Sequence, residues 1–470
     1  MALDQKTDPD RLVAGPSQTL SQFASTLRYE DIPSHVLDRA RLHILDGLGL
    51  AFASTQFPFA GPAVAAMTEL SGENGTHTII GSAQRASVRD AATVNGVLVH
   101  GLDYDDTHLQ AIVHPTAAVL PAVLAMGESY RISGKDALVA YCLGMESAVR
   151  IGAAVDGGFH HTGFHATSII SHFSAALVAG RLMGNSQAAH VAALGIAAST
   201  AGGVQVFLEE GAWTKRLHPG WGSAAGITAA TLAKHGFKGP SRAFEGRFAL
   251  FETHLHDYAK DVKMHHLTDG FGQQWMMGNT ALKPYPVCHF IHGAADAAVD
   301  LYQEIGGTEI EAVNIRLPED TLMIVAEPIE QKRHAGTEYE AKFSAPFVVA
   351  STLLKGRFGL PDLTENAIAD SRVRGLAARC SCNADPDALF PEYFSGGVEV
   401  KLADGRILQR HVPINSGAGD RMMDEPTVSA KFFENATMAI SRQRAEQIRT
   451  LALDLDNRNL PDLLELLGGE

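Results

Sequence analysis

Apolar side chains recur at helical spacing over most of residues 20–272. One example is the series Val36, Ala40 and Ile44, in which each side chain lies about one turn beyond the last. This periodicity places the apolar side chains on one face of an α-helix. Small residues are frequent, as in the segment AALVAGRLMG at 175–184, and small side chains allow helices to pack closely. The pattern therefore predicts a large all-helical domain.

The hydrophobic pattern changes to a period of two further along the chain. Residues 310–318 (IEAVNIRLP) alternate between apolar and polar side chains, as do 396–402 (GGVEVKL) and 406–412 (RILQRHV). The last two segments flank an Asp-Gly pair at 404–405, and such a pair between alternating segments predicts a β-hairpin. These strands predict a second, smaller unit of mixed α and β structure.

We therefore predict a mainly α protein with a large all-helical domain and a smaller α+β lid domain. Residues 19–275 and 409–470 are assigned to the helical domain, because the pattern after residue 426 is helical again. Residues 276–408 are assigned to the lid domain. The first 18 residues are polar and lack an apolar core, so we expect a flexible N-terminal tail over 1–18.

Composition and charge exclude some classes of partner. The 470 residues carry 38 basic and 53 acidic side chains, a net charge of −15, and only 19% of the residues are charged. This composition is typical of a globular protein. Nucleic acids and anionic membranes both require a basic surface, so we expect neither as a partner.

The four cysteines favour a protein of the cytoplasm. A disulfide-built secreted protein of this size usually has more, and the sequence starts without the apolar core of a secretory signal. Apolar stretches such as Ile44–Ala53 are too short to span a bilayer. We therefore expect a cytoplasmic location and no membrane partner.

Common cofactor and metal motifs are absent from the sequence. It contains no phosphate-binding loop of the G-x-x-x-x-G-K-[ST] type, no dinucleotide fingerprint, no nucleophile elbow and no H-E-x-x-H pair. His289 and His292 have a spacing that metal ligands use, but no third ligand is evident nearby. We therefore expect no cofactor and no metal site.

Basic side chains precede several predicted helix starts. A helix N-terminus has free N–H groups and a partial positive charge, so it attracts anions, and a basic side chain strengthens this attraction. If the segments converge, they form a pocket for a polycarboxylate or a phosphate; otherwise each is an isolated cap with an exposed basic residue. The side chains concerned are His114, His165, Lys215 with His218, and Lys283.

An acidic segment, HGLDYDDTH at 100–108, supplies the complementary charges. It contains Asp103, Asp105 and Asp106, followed by Thr107. Three interpretations of this segment are open. It is a Ca²⁺ or Mg²⁺ loop, an acidic helix cap, or a set of acids that orients neighbouring histidines and lysines. The spacing excludes an EF-hand. We favour the third interpretation, because a carboxylate beside an imidazole fixes its tautomer and shifts its pKa.

These segments resemble, in order, the signatures of the MmgE/PrpD family. The resemblance extends from VHPTAAVLPAVLA at 113–125 through LKPYPVCHFIHGAADAA at 282–298 to DEPTVSAKFFENA at 424–436. The family includes 2-methylcitrate dehydratases, cis-aconitate decarboxylases and iminodisuccinate epimerases. The resemblance implies a helical domain, an α+β lid, a homodimer, an active site between the two domains, and chemistry without a cofactor.

The resemblance also implies roles for individual residues. Asp103 and Thr107 match polar positions of the family's acidic motif, and the histidines and lysines match positions of its other motifs. We expect the lysines and His218 to bind substrate carboxylates, and two histidines to move protons. The predicted catalytic residues are His114, His165, Asp103, Lys215 and Lys283, and the predicted substrate-binding residues are Thr107, His218, Cys288 and His289.

One position departs from the decarboxylase pattern. Decarboxylases of the family have a histidine after Lys-x-aromatic-Pro-x, whereas this chain has Cys288, with His289 one residue later. Neighbouring residues on a helix are separated by about 100° of rotation, so His289 is not equivalent to that histidine. This difference argues against decarboxylation.

The combined sequence observations predict a lyase that acts without a cofactor. We expect a dehydratase that removes water from a 2-methylcitrate-like polycarboxylic acid after abstraction of the α-proton. The alternatives are an epimerase of the iminodisuccinate type or a decarboxylase of the cis-aconitate type, each acting on a related di- or tricarboxylate. A further alternative is a paralogue that binds a dicarboxylate without catalysis.

Overall fold

The computed structural model describes residues 15–210 and 212–469. Helices dominate the first part of the chain, which also contains the short strands β1 (His77–Thr78) and β2 (Arg85–Ala86). The helices of this region are α1 (Pro16–Thr26), α2 (Ser34–Ser54), α3 (Ala60–Ser71), α4 (Val88–His100), α5 (Thr116–Tyr130), α6 (Gly134–Val155), α7 (Gly158–His161), α8 (Ala166–Leu182), α9 (Gln187–Ala198), α10 (Phe207–Glu210), α11 (Thr214–Lys234) and α12 (Leu250–Leu255).

Helix α11 packs closely against α8 and α4. Glycines in α11 allow this approach, because a methyl group at Gly226 would lie 2.6 Å from Ala175 Cβ, and one at Gly220 would lie 2.0 Å from the carbonyl oxygen of Thr93. The small residues that the sequence shows along these helices therefore lie at the contacts between them. This packing fixes the start of α11 beside the ends of α4 and α8.

Among the described residues, α6 is long and apolar enough to cross a membrane by length and composition. All of its apolar window is buried inside the protein, where α6 packs against α5 and α8. A core helix passes the same test of length and composition, so this feature is weak evidence for a membrane span.

A four-stranded sheet forms the centre of the second region. The strand order is β4–β3–β5–β6, with β3 parallel to β4 and the other two pairs antiparallel. The elements of this region are α13 (His292–Ile305), β3 (Ile310–Leu317), α14 (Leu322–Val325), α15 (Ile329–Arg333), α16 (Glu338–Lys342), α17 (Ala345–Lys355), α18 (Glu365–Ile368), α19 (Ser371–Ala377), β4 (Cys380–Ala384), β5 (Gly396–Leu402) and β6 (Ile407–Val412).

The C-terminal helices return to the first region. They are α20 (Glu425–Ala436), α21 (Arg442–Leu453) and α22 (Leu460–Leu464). Helix α20 packs along α2, where the Lys431 ammonium lies 2.8 Å from the Asp46 carboxylate with both side chains buried. Helices α1–α12 and α20–α22 are together called the helical region below. Residues 281–412 are called the sheet region.

The main expectations about the fold are confirmed. The protein is mainly α, the strand expected at 310–318 is β3, and the expected hairpin is the antiparallel pair β5–β6, with Gly405 in a left-handed conformation (φ 87°) between them. The sheet continues to Val412, past the expected boundary at 408. The assignment of a separate lid domain over 276–408 stays a prediction.

The expected tail over 1–18 is wrong at its end. Pro16 begins α1, and Pro16, Ser17 and Gln18 are buried. Proline is favoured in the first turn of a helix because its missing N–H is not needed there. The rest of the expected tail, residues 1–14, lies outside the described residues.

Candidate active site

The acidic segment is the loop that connects α4 to α5, and buried contacts hold it in place. The Asp106 carboxylate accepts hydrogen bonds from the backbone N–H (3.2 Å) and the hydroxyl (2.6 Å) of Thr116, in the first turn of α5. Lys431 donates to the carbonyl oxygen of Tyr104 (3.0 Å). Asp103 has a positive φ of 53°, which is unusual for a residue other than glycine. The loop is therefore held by two helices, α5 and α20.

Asp103 joins two lysines from distant parts of the chain. Its Oδ1 lies 2.7 Å from Lys215 Nζ and 3.3 Å from Lys283 Nζ, and Lys283 also donates to the Asp103 carbonyl oxygen (2.8 Å). Burial opposes ionisation of Asp103, but the two ammonium groups outweigh it and hold its pKa well below the usual range. Burial likewise opposes the charge of Lys215, but the Asp103 carboxylate outweighs it and raises the pKa of Lys215.

The two lysines reach Asp103 from different local structures. Lys215 lies in the first turn of α11, close to the predicted helix start. Lys283 does not lie before a helix start as expected, because a short 3₁₀ turn begins only at His289 and α13 only at His292. Its segment is positioned instead by backbone hydrogen bonds between Thr107 and Ala281, both 2.9 Å long.

His114 follows the same loop. Its Nδ1 donates to the carbonyl oxygen of Asp106 (2.8 Å) and lies 3.1 Å from Thr107 Oγ1. This pattern requires a proton on Nδ1 and leaves Nε2 as the basic atom. Burial, together with the charges of Lys283 and Lys215, lowers the pKa of His114 to about 3 in spite of the nearby Asp105 carboxylate. Thr107 therefore helps to orient His114.

His165 and His218 form a pair. His165 is the residue before α8, and its backbone N–H donates to the Gly203 carbonyl oxygen (2.9 Å). The Nδ1 atom of its ring lies 3.0 Å from Nδ1 of His218. At this distance the two nitrogens share one hydrogen bond, in which one ring donates and the other accepts. Burial and the charge of His218 place the pKa of His165 well below its usual value, and burial lowers the pKa of His218 to about 4.

Two residues that the sequence interpretation missed also belong to this centre. The ring of His100, the last residue of α4, lies 5.0 Å from the ring of His114 and 5.8 Å from that of His165. Tyr339, in α16, is under the electrostatic influence of Lys215 and Asp103, and burial raises the pKa of its phenol to about 12. The sequence marks His100 only by its position at the start of the acidic segment, and the motifs quoted above do not include Tyr339.

Cys288 and His289 have different surroundings. The Cys288 thiol is under the influence of Asp103, Lys283 and Lys215, and its pKa is raised, chiefly by burial. The His289 ring is buried in the sheet region, where its Nε2 lies 2.9 Å from the amide nitrogen of Asn415. Both residues are within the electrostatic influence of Lys283 and Asp103, and Cys288 is also within that of Lys215. Substrate binding by either residue stays a prediction.

The spacing of some side chains would suit a metal ion. Ligand atoms of His100, Asp105 and His114 lie within 4.8 Å of one another. Two observations argue against such a site: His114 Nδ1 already donates to a carbonyl oxygen, and the ammonium group of Lys283 places positive charge beside the cluster. We therefore do not assign these side chains as metal ligands. His289 and His292, the other metal-like pair, have no third ligand in the part of the chain that the structure describes.

The structure thus brings together the side chains that the helix-start pattern singled out. His114, His165, Lys215 and Lys283 come from four separate segments and meet at one centre around the acidic loop. Their catalytic roles remain predictions. The geometry provides a cationic pair, a fixed carboxylate and several imidazoles in a buried environment, which is the equipment for binding carboxylates and transferring protons.

Two family models together match most of this chain. Residues 18–263 match the family model of the MmgE/PrpD N-terminal domain, and residues 285–457 match that of the MmgE/PrpD C-terminal domain. A cis-aconitate decarboxylase of Aspergillus terreus is 27% identical over 97% of this chain and 96% of its own length. Human cis-aconitate decarboxylase is 27% identical over 92% of this chain and 90% of its own. A 2-methylcitrate dehydratase of Escherichia coli O157:H7 is 23% identical over 91% of this chain and 92% of its own length.

Proposed function

Because this chain belongs to the MmgE/PrpD family and its named relatives are lyases, we propose that it is a hydro-lyase acting on a citrate-like 2-hydroxy tricarboxylate such as 2-methylcitrate. The observation that carries the proposal is the pair of lysines on one aspartate. Two ammonium groups and one carboxylate leave one positive charge in excess at Lys215, Lys283 and Asp103. A substrate carboxylate would compensate that charge, and the lysines would bind it.

The imidazoles beside the lysines supply the proton transfers that dehydration needs. A base removes the proton from the carbon next to a carboxylate, and the electron pair of the C–H bond forms the new C=C bond. The hydroxyl group leaves as water after it takes a proton from an acid. In our proposal the imidazoles of this centre, His114 and His165 among them, carry these protons, Thr107 orients His114, and His218 joins the lysines in binding carboxylates. The positive charge of the lysines stabilises the enediolate-like state.

A second candidate function is decarboxylation of a cis-aconitate-like acid. It is favoured by the relatives, because the cis-aconitate decarboxylases are 25–27% identical to this chain and the 2-methylcitrate dehydratases are 23% identical. It is disfavoured by Cys288, because the resemblance implies a histidine at this position of a decarboxylase.

Two assays separate these functions. Dehydration of 2-methylcitrate or citrate creates a double bond conjugated to a carboxylate, so absorbance near 240 nm rises while no CO₂ is released. Decarboxylation of cis-aconitate releases CO₂. A rise in absorbance without CO₂ supports the proposal, and CO₂ release from cis-aconitate without dehydration of the hydroxy acids overturns it in favour of the second candidate. If both assays are silent, exchange of substrate hydrogens with D₂O identifies an epimerase.

We further propose a homodimer that works in the cytoplasm without a cofactor, nucleic acid or membrane partner. An exposed apolar row at the start of α11 supports the dimer, because Trp213, Leu217 and Trp221 are 49%, 38% and 58% exposed and lie on one face. Such a row is typical of a protein interface. Light scattering should give twice the mass of one chain, and Trp221→Asp should reduce it to one. A monomeric wild type contradicts this proposal.

A further inference from the structure

His100 and Asp105 form a buried pair inside the histidine cluster. Nδ1 of His100 lies 2.8 Å from Oδ2 of Asp105, and both side chains are buried. A carboxylate accepts hydrogen bonds and does not donate them when ionised, so Nδ1 carries the proton and Nε2 keeps its lone pair. The burial of Asp105 opposes its ionisation, but the neighbouring His100 and His114 outweigh it and lower its pKa.

The basic nitrogen of His100 has no protein partner. Nε2 is buried and makes no hydrogen bond within residues 15–210 and 212–469, and the same holds for Oδ1 of Asp105. Burying a polar atom without a partner is unfavourable, so such an atom in a native protein needs an explanation. The ring of His100 is nearly parallel to that of His165, with 25° between their planes. The unpartnered nitrogen therefore belongs to the cluster that holds the predicted proton carriers.

The other histidines of the cluster are less suited to hold an added proton. A charge on His114 is opposed by Lys283 and Lys215, and its Nδ1 donates to a neutral carbonyl oxygen. His165 is paired with a second imidazole. Only for His100 does a directly hydrogen-bonded carboxylate stabilise the imidazolium form, among the cluster residues described here.

We propose that His100 is the base of the reaction and that Asp105 is its positioning residue. This assignment rests on the proposed function, since it concerns the proton next to the substrate carboxylate. The C–H bond breaks, its electron pair stays in the substrate, and the proton forms an N–H bond at Nε2 of His100. The resulting imidazolium is held by Asp105. His114 and His165 then serve the leaving hydroxyl group.

A second His–Asp pair, formed between helix α2 and the same loop, provides a matched control. Nδ1 of His43, in α2, lies 2.8 Å from Oδ2 of Asp106, and His43 is as deeply buried as His100. In the part of the chain that the structure describes, His43 has no ring contact with another histidine. A purely structural role of buried His–Asp pairs predicts the same result for both histidines.

The kinetic test compares His100→Gln, Asp105→Asn and His43→Gln. We expect kcat for 2-methylcitrate to fall about 10²–10⁴-fold in His100→Gln, the usual contribution of a positioned proton carrier, and by a smaller factor in Asp105→Asn. The Kd of tricarballylate, a saturated tricarboxylate, should stay within about threefold, and His43→Gln should keep kcat within about threefold. A folded His100→Gln enzyme with wild-type kcat overturns the assignment.

A second measurement keeps the assignment testable if the wild type turns over none of the acids. Nitrogen-15 NMR of the labelled full chain should show His100 protonated on Nδ1, and tricarballylate should shift its Nε2 resonance while that of His43 stays unchanged. A proton on Nε2 in the free protein overturns the assignment whatever the substrate is. Silent turnover with the expected His100 signals refutes the proposed hydro-lyase and leaves the basic character of His100 in place.

Discussion

The helical region and the sheet region contribute different chemistry to the centre, and they hold their side chains in different ways. His100 ends α4, His114 lies two residues before α5, and His165 directly precedes α8. Lys283 and Cys288 instead lie in a segment, 281–288, without regular secondary structure. Helix ends in a packed core are more rigid than irregular segments. We therefore expect the proposed proton carriers to be fixed before substrate binds, and we expect any adjustment to substrate to come from the segment 281–288.

The largest expected effect concerns the histidines of the helical region. His114→Gln and His165→Gln should each lower kcat by about 10²–10⁴-fold, because each removes a positioned proton carrier. Steady-state kinetics and melting temperature should be measured together. His235→Gln, an exposed change just after α11, is the control. A lower melting temperature with normal kcat would show that these histidines only stabilise the fold.

The lysines test whether the two regions bind substrate equally. Lys215→Ala and Lys283→Ala should each weaken transition-state binding by about 2–5 kcal/mol, the cost of losing one partner of a buried charge pair. The measurement is kcat/KM, with Lys234→Ala on the exposed end of α11 as the control. If the irregular segment adjusts to substrate, Lys283→Ala should raise KM more than Lys215→Ala does. Wild-type kcat/KM in both variants would exclude both lysines from binding.

Acid should destabilise the helical region through its buried histidines. Burial lowers the pKa of His114 to about 3 and those of His108, His190 and His218 to about 4. An unfolded histidine titrates near 6.5, so below that pH the unfolded chain binds more protons and stability falls, by up to about 1.4 kcal/mol per pH unit and histidine. Urea unfolding at pH 7.5, 6.5 and 5.5 should show this loss, and His190→Gln should reduce its slope. A constant free energy of unfolding would contradict these shifts.

A smaller effect is expected at Tyr339 in the sheet region. Its hydroxyl has no hydrogen-bond partner among the described residues and is under the influence of Lys215. If it donates to the bound substrate, Tyr339→Phe should lower kcat/KM by about 3–10-fold, which corresponds to one hydrogen bond. Tyr302→Phe, outside the centre, is the control. Unchanged kcat/KM would limit Tyr339 to packing against Phe343.

The smallest expected effect is that of chelation. Extended treatment with EDTA should leave kcat unchanged, because the proposed reaction uses only imidazoles, ammonium groups and carboxylates of the chain. Metal analysis of the treated protein and activity in the same sample provide the measurement. Loss of activity that returns with a stoichiometric divalent ion would assign His100, Asp105 and His114 to a metal instead.

The sequence allowed the centre to be predicted where local signals coincide. His114 and His165 stand at the starts of helices, and these starts are visible in the spacing of apolar residues and in the resemblance. The strand 310–318 and the hairpin after it were predictable for the same reason, since alternation and the Asp-Gly turn are local features. Each of these predictions needed no knowledge of distant contacts.

The missed features depend on tertiary contacts. His100 ends a helix, where no local pattern separates it from any other buried histidine, and its pairing with Asp105 follows from the turn of the loop. Tyr339 reaches Lys215 from more than a hundred residues away. The helix start expected next to Lys283 was wrong because Pro284 and Pro286 interrupt helical hydrogen bonding there, and the segment pairs with Thr107 instead.

The contact between Lys431 and Asp46 affects when the fold can be completed during synthesis. These residues are 385 positions apart, and Lys431 also binds the backbone of the acidic loop at Tyr104. During synthesis the loop and all its histidines leave the ribosome long before this lysine does. Until α20 arrives, the Asp46 carboxylate lacks the ammonium group that it binds in the folded protein, so we expect the early chain to be incompletely folded. We therefore expect activity only when nearly the whole polypeptide has emerged, and we expect a chain cut short before α20 to be inactive even though it contains the predicted proton carriers.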